Sequence, residues 1–376
     1  MKALPPSLSL ALRIARVPLL AILAVEFLGC GAPGFEAKEV EHGRLTSKQG
    51  VWILEVDGNA AERGHAIGTL LRKQIRWLLP RYLKANVGAE TPPAFPLAIV
   101  RSLAAEIPKP HIEQLNAIAA AAGVDREALL IANLAPEVWS GMACSCLAAT
   151  GKRSHSGTPL LGRNLDWYGG DALAPLTFVL VEHGATHSFA SVTYPGLVGV
   201  VSGMNDAGLS AANLVVLEQR AKPVKGMPVM FALRSILENH STVEQASAAL
   251  RAFDRTVPQN YAFADLEQAA VFETWRTRFV RRDPKADFVA IANAFDPDHR
   301  ARSDGRYESM LRAGKKPVMT VKDIQGALND VALDETNLQA LVFEPRERVL
   351  HISTRPPPAA RGPFVRLELA PLLNRE

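Results

Sequence analysis

Residues 144–167 read CSCLAAT, GKRSHSGTP and LLGRNLDW in succession. An apolar run is followed by a polar turn and a second apolar run, a spacing that predicts two strands folding back on one another. The second strand carries Arg163, Asn164 and Asp166. On a solvated surface, Arg163 and Asp166 would form an ion pair worth about 1 kcal/mol or less. Inside an apolar strand their burial is costly unless a partner or a task offsets it.

The rest of the chain supplies layers to cover such a pair. VWILEVD (51–57) reads as a strand. GNAAERGHAIGTLLRKQIRWLLPRYL reads as a turn and an amphipathic helix. PHIEQLNAIAAAAG is a helix stopped by Gly123, and VDREALLIANLAPEVW a helix with Asp125 at its N-cap. The part before Cys144 is therefore mainly helical. After it, strands are expected at 176–183, 187–205, 208–217, 261–275, 278–283, 287–295 and 337–354. Helices are expected near 227–239, 242–253, 304–314 and 321–330, with Ser241 or Thr242 as a cap. Strand runs separated by helix runs predict an α+β layered fold. Asn205 and Gly208 read as a turn, and Asp265 as a hairpin cap.

Of 376 residues, 48% are hydrophobic and 21% charged, which excludes a disordered or collagen-like chain. The net charge of +4 comes without clustered Lys/Arg among aromatics, so nucleic-acid binding is not expected. Lys2, Arg13 and Arg16 precede VPLLAILAVEFLGC, an apolar run shorter than the ~20 residues that span a bilayer. It reads as the apolar core of an export signal over residues 1–30. The ending FLGC resembles a bacterial lipobox, which would lipidate Cys30 and place the protein in the periplasm or at the cell surface. Residues 31–50 then read as a polar tether, and 51–376 as a single domain.

Two cysteines remain, Cys144 and Cys146. Positions i and i+2 of a strand share a face but are too far apart for comfortable disulfide geometry. No second Cys/His pair stands at metal-ligand spacing, so neither metal nor cofactor is expected. A free cysteine is most often a small buried hydrophobe, and this is the reading for Cys146. Cys144 is singled out by its neighbours, because an arginine beside a thiol favours the reactive thiolate.

The pattern Cys-Ser-x-aliphatic, then Gly-Arg-Asn-x-Asp-aromatic after a turn, resembles the cysteine N-terminal-nucleophile hydrolases. These include choloylglycine hydrolases, penicillin V acylases, acid ceramidases and the isopenicillin N acyltransferase group. The matching residues are Cys144, Ser145, Leu147, Gly162, Arg163, Asn164, Asp166 and Trp167. GNAAERGHAIG, GMNDAGLSAAN, YAFADLEQAAVFE, IANAF and SDGRYESML are similar to further family motifs in the same order.

The resemblance implies an αββα sandwich and an exported amidohydrolase. Such an enzyme would cleave a small linear N-acyl amide through a thioester. The first alternative is an acyltransferase that passes the acyl group to an amine. The second is an inactive ligand-binding surface lipoprotein. The resemblance also implies site roles. Cys144 is the nucleophile and, after cleavage of the Ala143–Cys144 bond, supplies its own α-amine as base. Asp166 holds that amine, Arg163 lies against the thiol, Asn293 and Asn213 are oxyanion donors, and Arg306 braces the site from behind. Three positions depart from the pattern: Ala143 stands where glycine is usual, Asn213 lies one residue nearer Gly208, and Ala294 replaces a histidine. The acyl chain, the amine and the oligomeric state are left open.

Overall fold

The computed structural model describes residues 31–87, 94–138, 142–167, 170–184, 186–216, 225–295, 305–354 and 357–374. The export signal and Cys30 lie outside them. Residues from Ala32 onward form one compact unit.

Two sheets form its centre. The first has ten strands: β1 (Lys38–Val40), β2 (Gly43–Lys48), β3 (Val51–Val56), then β6 (Phe178–Glu182), β7 (Phe189–Thr193), β8 (Ser202–Asn205), β9 (Ser210–Val215), β10 (Gln259–Ala264), β11 (Ala269–Trp275) and β12 (Arg278–Arg282), in that spatial order. The second has six, ordered β13 (Phe288–Ile291), β4 (Met142–Ala149), β5 (Leu160–Trp167), β14 (Asn337–Glu344), β15 (Val349–Ser353) and β16 (Val365–Glu368). All pairings are antiparallel except β3 with β6.

Alternation along the strands assigns each face. Cys144, Cys146, Leu161 and Leu165 join Ala212, Leu214, Ala262 and Val271 in the core between the sheets. Leu147, Ala149, Ala340 and Val342 point the other way, toward helices α9 (Arg306–Ala313) and α10 (Val321–Asn329). On the far side of the large sheet, Ala211, Tyr261, Phe263 and Phe272 pack under α7 (Val229–Asn239) and α8 (Val243–Ala252). The order helix, sheet, sheet, helix is the expected αββα sandwich.

Helices α1 (Ala60–Leu70), α2 (Arg72–Val87), α3 (Ala94–Ala104), α4 (Lys109–Ala122) and α5 (Arg126–Val138) precede the nucleophile strand, and the short α6 (Gly170–Leu173) follows β5. Asn59 and Glu62 close a capping box at the start of α1, Gly123 ends α4 in the left-handed region, and Asp125 caps α5 through the Ala128 N–H. A buried charge network ties this segment to the later chain. Glu182 on β6 accepts from Arg63 on α1 at 3.1 Å, Gln114 on α4 at 2.9 Å and Arg234 on α7 at 2.8 Å. Arg234 also meets Glu238, which in turn contacts His111 on α4. Two arginines against two glutamates leave the cluster balanced, the condition for burying charge.

The tether expected over 31–50 is a correction. Residues 38–48 form β1 and β2, Phe35 is buried, and the Gly34 carbonyl accepts from Gln74. The segment carries many charged residues because β1 is the edge strand of its sheet and exposes its side chains. The single helix expected after residue 58 is two, divided at Leu71.

Candidate active site

Cys144 lies on β4 and is 1% exposed; Cys146 is fully buried on the same face, and both thiols are free. The register pairs Cys146 with Arg163, Cys144 with Leu165 and Ala143 with Asp166. Arg163 therefore shares the inner face with both cysteines. Its Nη2 donates to Cys144 Sγ at 3.6 Å and to the Asn213 carbonyl of the facing sheet at 3.3 Å. Burial pushes the Cys144 thiol up; Arg163 and Arg306 pull it down, but burial prevails. The thiol of the intact chain is therefore held protonated at neutral pH, and Arg163 limits the size of that shift.

The main chain of Cys144 is held at both ends of the residue. Its N–H donates to Asn293 Oδ1 at 2.7 Å, and its carbonyl accepts from Arg306 Nη1 at 3.0 Å. Arg306 Nη2 also donates to Asn293 Oδ1 at 3.0 Å, and Nη1 reaches Ser145 Oγ at 3.3 Å. Arg306 approaches from α9, on the outer face of the sheet. The Asn293 amide is oriented by its partners: Oδ1 takes two donors, and Nδ2 donates to the Val215 carbonyl at 2.7 Å.

Asp166 shares the outer face with Ser145 and Asn164. It accepts from Asn337 at 2.9 Å and the Leu333 N–H at 3.3 Å, and lies 3.6 Å from Arg306. Burial raises its pKa, against the pull of Asn337 and Arg306. Asp166 is thus linked to Cys144 through Arg306, whereas the group in direct contact with the Cys144 nitrogen is Asn293. Gly162 leaves room on this outer face, since a Cβ there would stand 2.5 Å from Ile324 on α10.

Asn213 differs from its expected role. Its carbonyl meets Arg163, but by alternation its side chain falls with Ala211 and Tyr261 under α7 and α8. A one-residue offset in a strand moves a side chain to the opposite face, and Asn213 carries that offset relative to Gly208. Leu214 occupies the inward position. The turn and hairpin-cap readings hold: Asn205 Oδ1 accepts from the Leu209 N–H, and Asp265 from the N–H groups of Glu267, Gln268 and Val243.

Four residues near the site were not singled out in the sequence: Ser145 as a partner of Arg306, Asn337, Tyr194 and Gln339. Asn337 and Gln339 stand out as amides in the apolar strand NLQALVFE, which is the signal that could have found them. Tyr194 lines a small apolar recess together with Trp167, Tyr82, Leu79 and Leu129. Trp167 meets Tyr82 and Tyr194 edge-on, each at 5.8 Å, and donates to Asn86 at 3.0 Å. Helices α2 and α5, from before Cys144, thus form one wall of this recess. Among the described residues, no group of His, Cys, Asp and Glu is placed to hold a metal.

Residues 153–352 match the family described as acyl-coenzyme A:6-aminopenicillanic acid acyl-transferase. Protein dcd1B of Dictyostelium discoideum is 23% identical over 222 residues, 52% of this chain and 44% of that protein. The chain spans less than half the length of the curated relatives it matches, the match to an Archaeoglobus fulgidus protein covering 41% of it. A Caenorhabditis elegans N-acylethanolamine-hydrolyzing acid amidase ortholog aligns over 54% of this chain and 93% of its own at 17% identity, with a TM-score of 0.44. A mutant conjugated bile acid hydrolase from Clostridium perfringens aligns over 62% and 95% at 15% identity, with a TM-score of 0.46. The family match begins just after Cys144 and runs through Arg163, Asp166, Asn293 and Arg306. It covers more than half of the chain, which belongs to the acyl-coenzyme A:6-aminopenicillanic acid acyl-transferase family.

Proposed function

We propose that the protein is an exported cysteine amidohydrolase acting on linear N-acyl amides. The observation that carries this reading is the Arg163 guanidinium on the Cys144 thiol, in a strand pair where Asn293 holds the Cys144 nitrogen. Once the Ala143–Cys144 bond is hydrolysed, that nitrogen is a free α-amine with a pKa near ~8, suited to exchanging a proton near neutrality. It takes the thiol proton as sulfur attacks the amide carbonyl. The C–N bond then breaks, and the amine leaves with that proton. Water adds to the thioester, the S–C bond breaks, and the acid is released with the thiol restored. In this reading the Asn293 oxygen, which accepts from the Cys144 N–H, orients the α-amine.

Acyl transfer to an amine is the second reading, favoured by the family's own description. Release of free amine from a panel of N-acyl amides, with and without an added acceptor amine, separates the two. Acid formation from the wild type and none from Cys144→Ala supports hydrolysis. A new amide formed at the expense of acid supports transfer, and no turnover of any panel member refutes both. Residues 1–30 are proposed as an export signal with lipidation at Cys30. Equal membrane partition of the wild type and Cys30→Ala would refute the anchor.

A further inference from the structure

Three polar side chains that the Cys144 chemistry does not use meet beside the connection between α7 and α8. His187 precedes β7, Asp206 follows β8, and Ser241 lies between the two helices. His187 Nδ1 stands 2.6 Å from Asp206 Oδ1, and Ser241 Oγ stands 2.9 Å from His187 Nε2. Carboxylate, imidazole and hydroxyl therefore form one hydrogen-bonded chain. Cys144, by contrast, lies in the core between the sheets.

The chemistry of the groups fixes the direction of this chain. An ionised carboxylate only accepts, so Nδ1 donates to Asp206. The neutral ring then carries its lone pair on Nε2, and the Ser241 hydroxyl donates to it. This is the tautomer in which an imidazole can take a proton from a serine oxygen. The main chain holds the three residues in place. Asp206 Oδ2 accepts from the Ser188 N–H at 2.9 Å, and the His187 N–H donates to the Glu238 carbonyl in α7 at 3.0 Å. Asn205 Nδ2 donates to the Leu237 and His240 carbonyls at 2.9 and 2.7 Å, which ties the residue before Asp206 to the residue before Ser241.

A serine at a helix start ordinarily serves as its cap. Here Thr242 is the cap, its hydroxyl accepting from the Gln245 N–H at 3.2 Å, and Gln245 Oε1 meets the Ser241 N–H at 2.8 Å. The Ser241 hydroxyl is left to His187. The Thr242 N–H, which follows it, has no partner among the described residues. An N–H directly after a nucleophilic serine can serve as an oxyanion donor. The side chains of His187 and Asp206 are 19% and 25% exposed and Ser241 is half-buried, so a small molecule reaches the hydroxyl from solvent.

The geometry points to a second nucleophile in this protein: Ser241, with His187 as its base and Asp206 as a positioning residue, hydrolyses small unhindered esters. As Oγ attacks the ester carbonyl, its proton passes to His187 Nε2. The C–O bond to the alcohol breaks, and the alcohol leaves with that proton. Water then adds to the acyl-serine and gives a proton to Nε2. The Oγ–C bond breaks, the acid departs, and Oγ takes the proton back. This site does not depend on the function proposed for Cys144.

The test uses the full protein carrying Cys144→Ala, so that the thiol takes no part. A fluorophosphonate probe labels an activated serine, with Oγ attacking phosphorus and fluoride leaving, and peptide mass reads the residue labelled. Labelling of Ser241 should be roughly tenfold or more faster in the folded protein than in the same protein unfolded in urea, and His187→Gln should remove that advantage. Hydrolysis of 4-nitrophenyl acetate should fall by a similar factor in Ser241→Ala and in His187→Gln. Ser241→Cys gives a second reading: iodoacetamide should alkylate the new thiol several-fold faster with His187 present than with His187→Gln. For Asp206, nitrogen-15 spectra of the His187 ring should show the proton on Nδ1. In Asp206→Asn the Ser188 N–H keeps the amide oxygen, the NH2 group faces Nδ1, and the proton should move to Nε2. Labelling of Ser241 no faster than in the unfolded chain overturns the site. Labelling and thiol alkylation that both ignore His187→Gln overturn it as well, and an unchanged tautomer in Asp206→Asn overturns the role of Asp206.

Discussion

Glu137, in the last turn of α5, sits a few residues ahead of Cys144, and its substitution has a calculable effect. Its carboxylate is buried and accepts from the Val229 N–H and the Thr256 hydroxyl, each at 2.5 Å. Burial raises its pKa from 4.5 to about 7, against both hydrogen bonds. The folded chain therefore binds more protons than the unfolded chain between those values. The stability linked to this proton is fully present below pH ~4.5 and is lost as pH rises through ~7. At 1.36 kcal/mol per pH unit, the loss is on the order of 3 kcal/mol. Glu137→Gln keeps the shape, the acceptor for Val229 and a group for Thr256, and cannot ionise. Urea unfolding of both proteins at pH 5 and pH 8 gives a difference in which the other titrating groups cancel. With m near ~3 kcal/mol per molar for a chain of this size, the variant should unfold roughly 1 M later than wild type at pH 8 and nearly together with it at pH 5. Midpoints that differ equally at the two pH values would refute the reasoning.

Arg163→Leu removes the nearest positive charge from a thiol already raised by burial. The alkylation profile of Cys144 with iodoacetamide should move to higher pH, and an unchanged profile would remove Arg163 from thiol activation. Gly162→Ala places a methyl against Ile324, and overpacking there should cost ~1–3 kcal/mol, read as an earlier unfolding midpoint.

The strands around Cys144 were legible because their apolar runs, turn and polar interruptions are local. β5 falls at 160–167 as expected, and β4, at 142–149, begins two residues before the strand expected from Cys144. The capping signals at Gly123, Asp125 and Thr242 were legible for the same reason. Residues 38–48 were not, since an exposed edge strand has the charged composition of a tether and its pairing with β3 is decided by the sheet. Asn213 was legible as a polar residue in a strand but not as one facing α7, because its motif offset decides the face. Gln339 lies beside Leu165 only because β14 pairs with β5, a relation carried by tertiary register and by no single window of sequence. Asp166 was legible as an acid inside an apolar strand, while its partners, Asn337 and Arg306, lie far along the chain and set its surroundings.

The intact mass of the purified protein after denaturation tests the central claim most directly. Two chains that co-purify under native conditions are expected, the later one beginning with Cys144 and carrying an unblocked α-amine. The buried contacts of Glu182 with Arg63 and Gln114 would hold the pieces together. Cys144→Ala should give one uncut, inactive chain, and Cys146→Ala should still be cut. An active wild-type protein in which Ala143 remains bonded to Cys144 would contradict the account, because the α-amine base would then not exist.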